Sequence, residues 1–194
     1  ILPGDYKYED WNGDGEINGQ DEHPFAFDQT PWLQFSLNAG LQWKNLDFNM
    51  LLQGSALGSM EYKEPLHEIW GKNGGGALTQ FLDRWHPVDP KADPYDPSTV
   101  WTSGHYAYTG RWAKNNSAFN RVSTAYLRLK SIELGYTFPK LKQIPNASLR
   151  IYANAYNLLT FTGVKFVDPE HPDDDLGRMY PLNKTYTLGV SLSF

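Results

Sequence analysis

The strongest constraint on the fold is the alternation of the last eleven residues, Lys184 to Phe194. Every second residue of this segment is apolar: Tyr186, Leu188, Val190, Leu192 and Phe194. Because successive side chains of a strand point to opposite faces, this period of two predicts a strand with one apolar and one polar face. Strands of bacterial outer-membrane β-barrels have this pattern, since they face lipid outward and a polar lumen inward.

Four earlier segments show the same alternation, and with the terminal segment they predict five antiparallel strands. They cover residues 34–43, 46–53, 126–138 and 148–156. The first two are joined by the tight turn Lys44–Asn45, which predicts a β-hairpin. The alternation fails at Leu51 and over Leu127–Lys130, where the pattern leaves the register open.

Polar positions of these strands are expected to line an aqueous lumen. They are Gln34, Asn38, Asn49, Gln53, Arg150 and Asn154. If Phe194 is periplasmic, alternation of strand direction places the short links 44–45 and 139–147 on the periplasmic side. The long segments then lie outside the cell, as in outer-membrane barrels, which have short periplasmic turns and long external loops.

The pattern therefore predicts an all-β chain that contributes antiparallel strands to a transmembrane β-barrel. Five strands cannot close such a barrel, and an open edge leaves backbone groups unpaired in lipid, so the chain is expected to be part of a larger barrel. Four regions follow: an extracellular loop 1–31, a barrel hairpin 32–54, a long extracellular loop 55–125, and the last three strands 126–194 with the extracellular loop 162–183. A soluble β-sandwich, in which the alternation serves an ordinary core, is the alternative.

Composition narrows the function classes. The net charge of −5 and the lack of a basic stripe argue against nucleic acid as a partner. The chain has no cysteine, which excludes disulfides and thiolate metal sites. The mean hydropathy of −0.56 is compatible with a barrel, because alternating strands average out on a hydropathy scale. The first four residues carry no signal peptide, so the chain is expected to begin after processing or within a longer protein.

Residues Asp10 to Asp21 match the pattern of an EF-hand calcium loop. Oxygen ligands would come from the side chains of Asp10, Asn12, Asp14 and Asp21 and from the backbone carbonyl of Glu16. Gly15 permits the sharp bend of such a loop, and Ile17 is expected to point inward. The sequence thus predicts a structural Ca²⁺ site in an external loop, although a surface turn rich in Asp, Asn and Gly has the same pattern.

The long segment 55–125 is rich in aromatic residues. Trp70 and Trp85 are candidates for contact with a substrate or a protein partner, because exposed rings stack on the apolar faces of sugars. The alternative is that these rings form the small core that a loop of this length needs. No catalytic residues are predicted: the acidic run Asp173–Asp175 has no catalytic spacing, and the H-E-x-x-H, G-x-S-x-G and P-loop motifs are absent.

A series of motifs resembles the C-terminal part of the SusC/RagA family of TonB-dependent outer-membrane transporters. The motifs are Gly4–Tyr8 before the Asp10 loop, Leu46–Phe48 with Leu52–Gly54, Arg84–Pro87, Ala125–Lys130 with Glu133–Pro139, Leu149–Tyr152 with Asn157–Thr162, and the terminal Y-T-L-G-V-S-L-S-F. His86 departs from the family's R-W-T-P. The motifs stand in the family's order over nearly the whole chain.

The resemblance implies a share of a 22-stranded, plugged barrel that imports glycans across the bacterial outer membrane. It also implies a SusD-like surface lipoprotein as partner, and TonB, which would act through an N-terminal plug region absent from this chain. Outer-membrane lipid would surround the strands, with the loops extracellular and the C-terminus periplasmic. The alternatives are a peptide importer of the RagA type and a soluble calcium-stabilised β-sandwich that binds carbohydrate.

Overall fold

The computed structural model describes residues 1–69, 77–110, 117–139, 147–171 and 177–194. Nine strands lie within these ranges: β1 (Leu33–Trp43), β2 (Leu46–Ala56), β3 (Ser59–Glu61), β4 (His86–Pro87), β5 (Trp101–Thr102), β6 (Arg121–Ser123), β7 (Tyr126–Phe138), β8 (Ser148–Thr162) and β9 (Thr185–Ser193). Short 3₁₀ helices cover Gly19–Asp21, Glu64–Leu66 and Thr79–Leu82. In the described part of the chain, no helix is long and apolar enough to cross a membrane.

Five of the strands form one antiparallel sheet in the order β1-β2-β7-β8-β9. Strands β1 and β2 are the predicted hairpin, in which Trp43 pairs with Leu46 across the turn. Lys44 has φ 56°, a left-handed backbone conformation that suits tight hairpin turns. The five predicted strands are therefore confirmed, and β8 is longer than expected because it continues beyond Tyr156 to Thr162.

A bulge explains why the alternation fails at the start of β7. Leu51 and Leu52 of β2 pair with Ser131 and Leu129 of β7, so Lys130 is an extra residue on β7. An extra residue in one strand reverses the faces on which the preceding side chains lie. The irregularity at Leu51 in the sequence lies at the same level of the sheet.

The bulge sorts the side chains of β7 by polarity. Leu127 and Leu129, before the extra residue, share a face with Ile132 and Leu134, after it. Arg128 is directed to the opposite face, which an uninterrupted strand would not allow, because residues 128, 132 and 134 would then lie on one side. The bulge thus keeps the apolar face of the strand free of this cation.

At the same level of the sheet, two residues of β8, Asn157 and Leu158, lie opposite the single residue Lys130 of β7. Asn157 has φ 53°, and its Nδ2 donates a hydrogen bond to the carbonyl of Asn183 at 3.0 Å. Across these two unpaired residues the period of two of β8 is unchanged, so the apolar side chains on both sides of the bulge remain on one face.

The described residues fall into two compact units. The first consists of Phe27–Met60, Ser123–Asp174 and Met179–Phe194, contains the five-stranded sheet and is referred to as the sheet unit. The second consists of Ile1–Ala26, Glu61–Val122 and Asp175–Arg178 and is referred to as the loop unit.

The loop unit has a small aromatic core of its own. Ile69, Phe81 and Tyr106 are buried together, and Phe119 packs against them. The rings of Phe81 and Tyr106 meet edge to face with centroids 4.7 Å apart, and Tyr6 meets Phe119 at the same separation. Burial, more than the nearby acidic groups, raises the pKa of Tyr6 to about 12. Aromatic residues of the long segment therefore do supply a core.

Candidate functional site

One face of the sheet is apolar and exposed. Leu188 of β9 is 77% exposed, and Leu41 of β1 is 66% exposed. Exposed apolar side chains also on this face are Leu33, Phe35, Leu37, Trp43, Leu127, Leu134, Tyr136, Phe138, Ile151, Leu159, Phe161, Tyr186, Val190 and Leu192. A β-sandwich buries such a face against a second sheet, so the sandwich alternative is wrong for the described residues.

Aromatic residues lie at both ends of β1. Trp43 ends the strand at the hairpin turn, with the Nζ of Lys44 5.0 Å from its ring centroid. Trp32 precedes the strand, is exposed, and meets Phe27 edge to face at 5.5 Å. Tyr136 lies at the Trp43 end, where it pairs with the first residue of β2. These positions match the aromatic girdles that flank the apolar band of outer-membrane barrels.

The other face is polar. The register places all six predicted lumen-facing residues on it: Gln34, Asn38, Asn49, Gln53, Arg150 and Asn154. Arg150 of β8 bridges two carboxylates of this face, donating to Glu133 Oε1 at 2.7 Å and, through Nε, to Asp47 Oδ1 at 3.2 Å. Gly135 leaves room for this bridge, since a Cβ there would lie 2.6 Å from Asp47 Oδ2. The bridge joins three adjacent strands.

A second ion-pair network joins β7 to the segment that follows β8. Nη2 of Arg128 donates to both carboxylate oxygens of Asp168 at 2.8 Å, and Nη1 donates to Glu170 Oε2 at 2.9 Å. Nζ of Lys130 lies 2.9 Å from the same oxygen, and the hydroxyl of Tyr126 donates to Glu170 Oε1 at 2.9 Å. The Arg128 side chain is only 1% exposed, so these carboxylates compensate a buried charge.

The sequence interpretation did not identify this second network. Arg128 and Lys130 lie where the alternation fails, and Asp168 and Glu170 lie in a connection without periodicity. The sequence did contain a signal: Arg128 and Lys130 are two residues apart, and uninterrupted alternation would direct both cations to the apolar face. A bulge resolves that conflict, and sequence reasoning that allowed for one would have found the cations.

The predicted calcium residues lie in one tightly turned loop. Asp10 accepts hydrogen bonds from the backbone N–H groups of Gly13 and Gly15, each at 2.8 Å. Asp21 accepts one from the N–H of Trp11 at 2.9 Å, which closes the loop across its ends. Gly15 has φ 86°, so the predicted sharp bend is present.

Inside this loop, Asn12 Nδ2 donates to Asp14 Oδ2 at 2.8 Å, and the N–H of Glu16 donates to Asp14 Oδ1 at 2.8 Å. Ile17 is 57% exposed, so the prediction that it points inward is wrong: hydrogen bonds rather than an apolar anchor hold the segment. Among the described residues, no three His, Asp or Glu side chains are arranged to hold a metal ion. Calcium binding stays a prediction.

Trp85 is half-buried in the loop unit. The Trp85 ring lies against Gly4, where a Cβ would be 2.6 Å from Trp85 Cγ. The backbone N–H of Trp85 donates to the carbonyl of Tyr106 at 2.9 Å. The contact of Trp85 with a substrate or partner stays a prediction. Trp70 and the acidic run Asp173–Asp175 lie outside the described residues.

The antiparallel sheet, with an exposed apolar face and a charged polar face, defines the class of protein. The chain has the fold of a β-barrel wall of the outer-membrane type.

The chain is similar over 99% of its length to TonB-dependent receptor P3 of Formosa agariphila, with 27% identity, and over 100% to TonB-dependent receptor P26 of the same organism, with 28% identity. It spans about a fifth of the length of these relatives. No family model matches the chain.

Solved structures with the same fold come from RagAB. The RagAB peptide importer in its open-open state matches 92% of this chain with a TM-score of 0.63 and 22% identity. A structure of the RagAB peptide transporter matches 100% with a TM-score of 0.64 and 21% identity. The chain covers 19% and 20% of those chains. Sequence and fold together confirm the predicted resemblance: the chain is SusC/RagA-like, and its relatives are TonB-dependent receptors and transporters rather than enzymes.

Proposed function

We propose that this chain forms part of the barrel wall and the external loops of a TonB-dependent importer in the bacterial outer membrane. The observation that carries the proposal is the contrast between the two faces of the sheet. Leu188 and its neighbours are largely exposed on one face, whereas Arg150 and Arg128 form ion pairs on the other. In water such an apolar face promotes association, whereas lipid chains solvate it in a bilayer.

The proposed cargo is an oligosaccharide, taken up with a SusD-like surface lipoprotein, and a peptide is the alternative. The polar face supports a hydrophilic cargo, because Gln34, Asn38, Asn49 and Gln53 present amide groups along it. Amides donate and accept hydrogen bonds, so they suit sugar hydroxyls and peptide groups alike. RagAB is a peptide importer by name, which is the reason for the alternative.

In this proposal TonB acts through a plug in the rest of the transporter. The connections between β2 and β7 and between β8 and β9 face the exterior, and the Lys44–Asn45 turn faces the periplasm. The length of the connections supports this orientation, since outer-membrane barrels have their long loops outside.

The test uses cells with the full-length transporter, supplied in separate experiments with fluorescent oligosaccharides and fluorescent oligopeptides. We expect uptake of the oligosaccharides to be lost when the gene is deleted, and also when a protonophore removes the proton gradient that drives TonB. Uptake of peptides alone would replace the proposed cargo by the alternative. Uptake of both classes that is indifferent to the deletion would refute the importer.

A pair of adjacent substitutions ties this assay to the present chain. Asn38 lies on the polar face of β1 and Leu37 on its apolar face. Asn38→Trp should reduce uptake without reducing the amount of assembled transporter, because the ring would occupy the solute path. Leu37→Trp should leave uptake unchanged, because an aromatic ring is tolerated against lipid. Equal uptake by the two variants would contradict the assignment of the faces.

We also propose that the loop Asp10–Asp21 binds a structural Ca²⁺, which would rigidify an external segment. The side chains of Asp10, Asn12, Asp14 and Asp21 and the carbonyl of Glu16 would hold the ion. The left-handed φ values of Gly13 (75°) and Gly15 (86°) favour the proposal, because they already curve the backbone as such a loop requires.

Calcium binding is measured by isothermal titration of the full-length transporter. A site bound only in the folded state should stabilise it by about 2.7 kcal/mol when free Ca²⁺ exceeds Kd a hundredfold. Asp10→Ala with Asp14→Ala should abolish the heat of binding. Asp89→Ala, in an acidic turn outside the motif, is the control and should not. Identical titrations of all three proteins would refute the site.

A further inference from the structure

The connection that follows β8 folds back onto the polar side of the sheet unit. We refer to Gly163–His171 as the strap. Its Val164 is only 8% exposed. Within the strap, the N–H of Glu170 donates to Asp168 Oδ1 at 2.9 Å, and the N–H of His171 donates to the carbonyl of Asp168 at 3.0 Å. These bonds form a turn that directs two carboxylates to β7.

Side chains of β7 hold both carboxylates. Arg128 binds Asp168 through both carboxylate oxygens and also binds Glu170, a geometry that determines orientation as well as position. Lys130 and Tyr126 hold Glu170 from the same strand. Isolated ion pairs on a surface contribute little, but removal of one partner from a buried pair is strongly destabilising. Because Arg128 is 1% exposed, the second case applies here.

The bulge at Lys130 is the reason that β7 can hold the strap. Without the extra residue, Arg128 would point to the apolar face and could not reach Asp168. Bulges that re-aim a side chain are over-represented next to functional sites. The irregularity of β7 thus has a specific consequence, which is an anchored strap on the polar face.

We propose that Asp168 and Glu170 clamp the strap across the polar face, and that the strap thereby limits the size of the solute that passes this part of the wall. The size limit rests on the proposed function, because it requires the polar face to line a transport path. The clamp itself is a matter of geometry and is tested independently of transport.

Cysteine labelling in the full-length transporter tests the clamp. This chain has no cysteine, and any cysteine in the rest of the transporter can be replaced beforehand. Val164→Cys places a thiol at a buried position of the strap. The Val164→Cys variant is then combined with Asp168→Asn and Glu170→Gln. These two substitutions remove the carboxylates that pair with Arg128 and leave the volumes of the side chains nearly unchanged. The rate of reaction with a small membrane-impermeant maleimide should then rise roughly 10- to 100-fold.

Gly163→Cys is the matched control for labelling. A Cβ at this position would meet no atom within 4 Å, so its thiol should react at one rate whether or not the carboxylates are replaced. If Val164→Cys stays as protected after the replacement as before it, the clamp is overturned.

The size limit is measured with a second thiol, Ser131→Cys, on the polar face of β7 just after the bulge. Maleimides carrying polyethylene glycol of graded mass serve as probes, so no natural substrate is needed. We expect only small probes to react when the strap is clamped, and larger ones after Asp168→Asn with Glu170→Gln. Asp47→Asn, which alters the Arg150 bridge on the same face, should not change the mass limit.

The outcomes separate the inference from the proposed function. Faster labelling of Val164→Cys with an unchanged mass limit at Ser131→Cys would overturn the size limit. Uptake that does not depend on the transporter gene would refute the proposed importer. The labelling rates of Val164→Cys would still decide whether the clamp exists. If the double amide variant fails to assemble, Arg128→Met releases the same carboxylates by removing the buried cation instead, and the same rise in labelling is expected.

Discussion

Leu188→Arg tests most directly whether the apolar face contacts lipid. Leu188 is 77% exposed and lies near the middle of β9, where it pairs with Ala153. In water, a substitution at such an exposed site changes the free energy of unfolding by no more than about 0.5 kcal/mol. At the middle of a bilayer, Arg on the lipid face of a barrel costs about 2–4 kcal/mol. That cost of about 2–4 kcal/mol corresponds to a roughly 30- to 700-fold change in the folded-to-unfolded ratio.

Thr187→Arg is the matched control, since Thr187 adjoins Leu188 on the same strand and faces the polar side. Both variants are compared by urea unfolding of the full-length transporter in phospholipid vesicles, with the gel mobility of the folded barrel as the readout. We expect a clear loss for Leu188→Arg and little change for Thr187→Arg. Free energies of unfolding that agree within about 0.5 kcal/mol would refute the lipid-facing assignment.

Three further changes have expected outcomes. Deleting Lys130 removes the bulge and reverses the faces of the preceding residues, so it should lower the yield of assembled transporter far more than Lys130→Gln, which keeps the bulge; similar yields on gels would contradict this. Gly189→Val pushes a side chain into the ring of Tyr152 and should lower the urea midpoint, and Tyr152→Ala should restore part of it, whereas purely additive losses would exclude the contact. The N–H and hydroxyl of Ser98 hold the pKa of Asp96 below 3.8, so this carboxylate should stabilise its turn above pH 3.8 and lose that effect as the pH falls through the lowered pKa. Amide hydrogen exchange at Ser98 should therefore be slower in the wild type than in Asp96→Asn at neutral pH, and the two should converge in acid, where Asp96 is protonated; equal exchange at neutral pH would contradict this.

Strands that alternate without interruption were predictable from the sequence. In β1 and β9 a slip of one residue would exchange the apolar and polar faces, so the pattern strongly specifies the register. In β7 the same rule fails, because Lys130 is an extra residue only relative to the partner strand β2. Nor did the pattern reveal that β8 extends past Asn157, whose left-handed φ of 53° interrupts an otherwise regular strand.

The candidate site divides in the same way. The six predicted polar-face residues follow from alternation alone, and the register confirms their shared face. The bend at Gly15 also follows from local sequence, because glycine adopts positive φ at little cost. The exposure of Ile17 and the packing of Trp85 against Gly4 do not, since both depend on which distant segments are near.

By itself, the sequence determined the fold class and the two-faced character of each strand, because a period of two is a local property of neighbouring residues. Only the tertiary structure decided the order β1-β2-β7-β8-β9, the bulge at Lys130 and the strap. Arg128 and Asp168 are 40 residues apart in the chain, and no periodic pattern links them. Their contact depends on the pairing of whole strands, which brings the end of β8 beside the start of β7 and leaves one buried cation to be compensated.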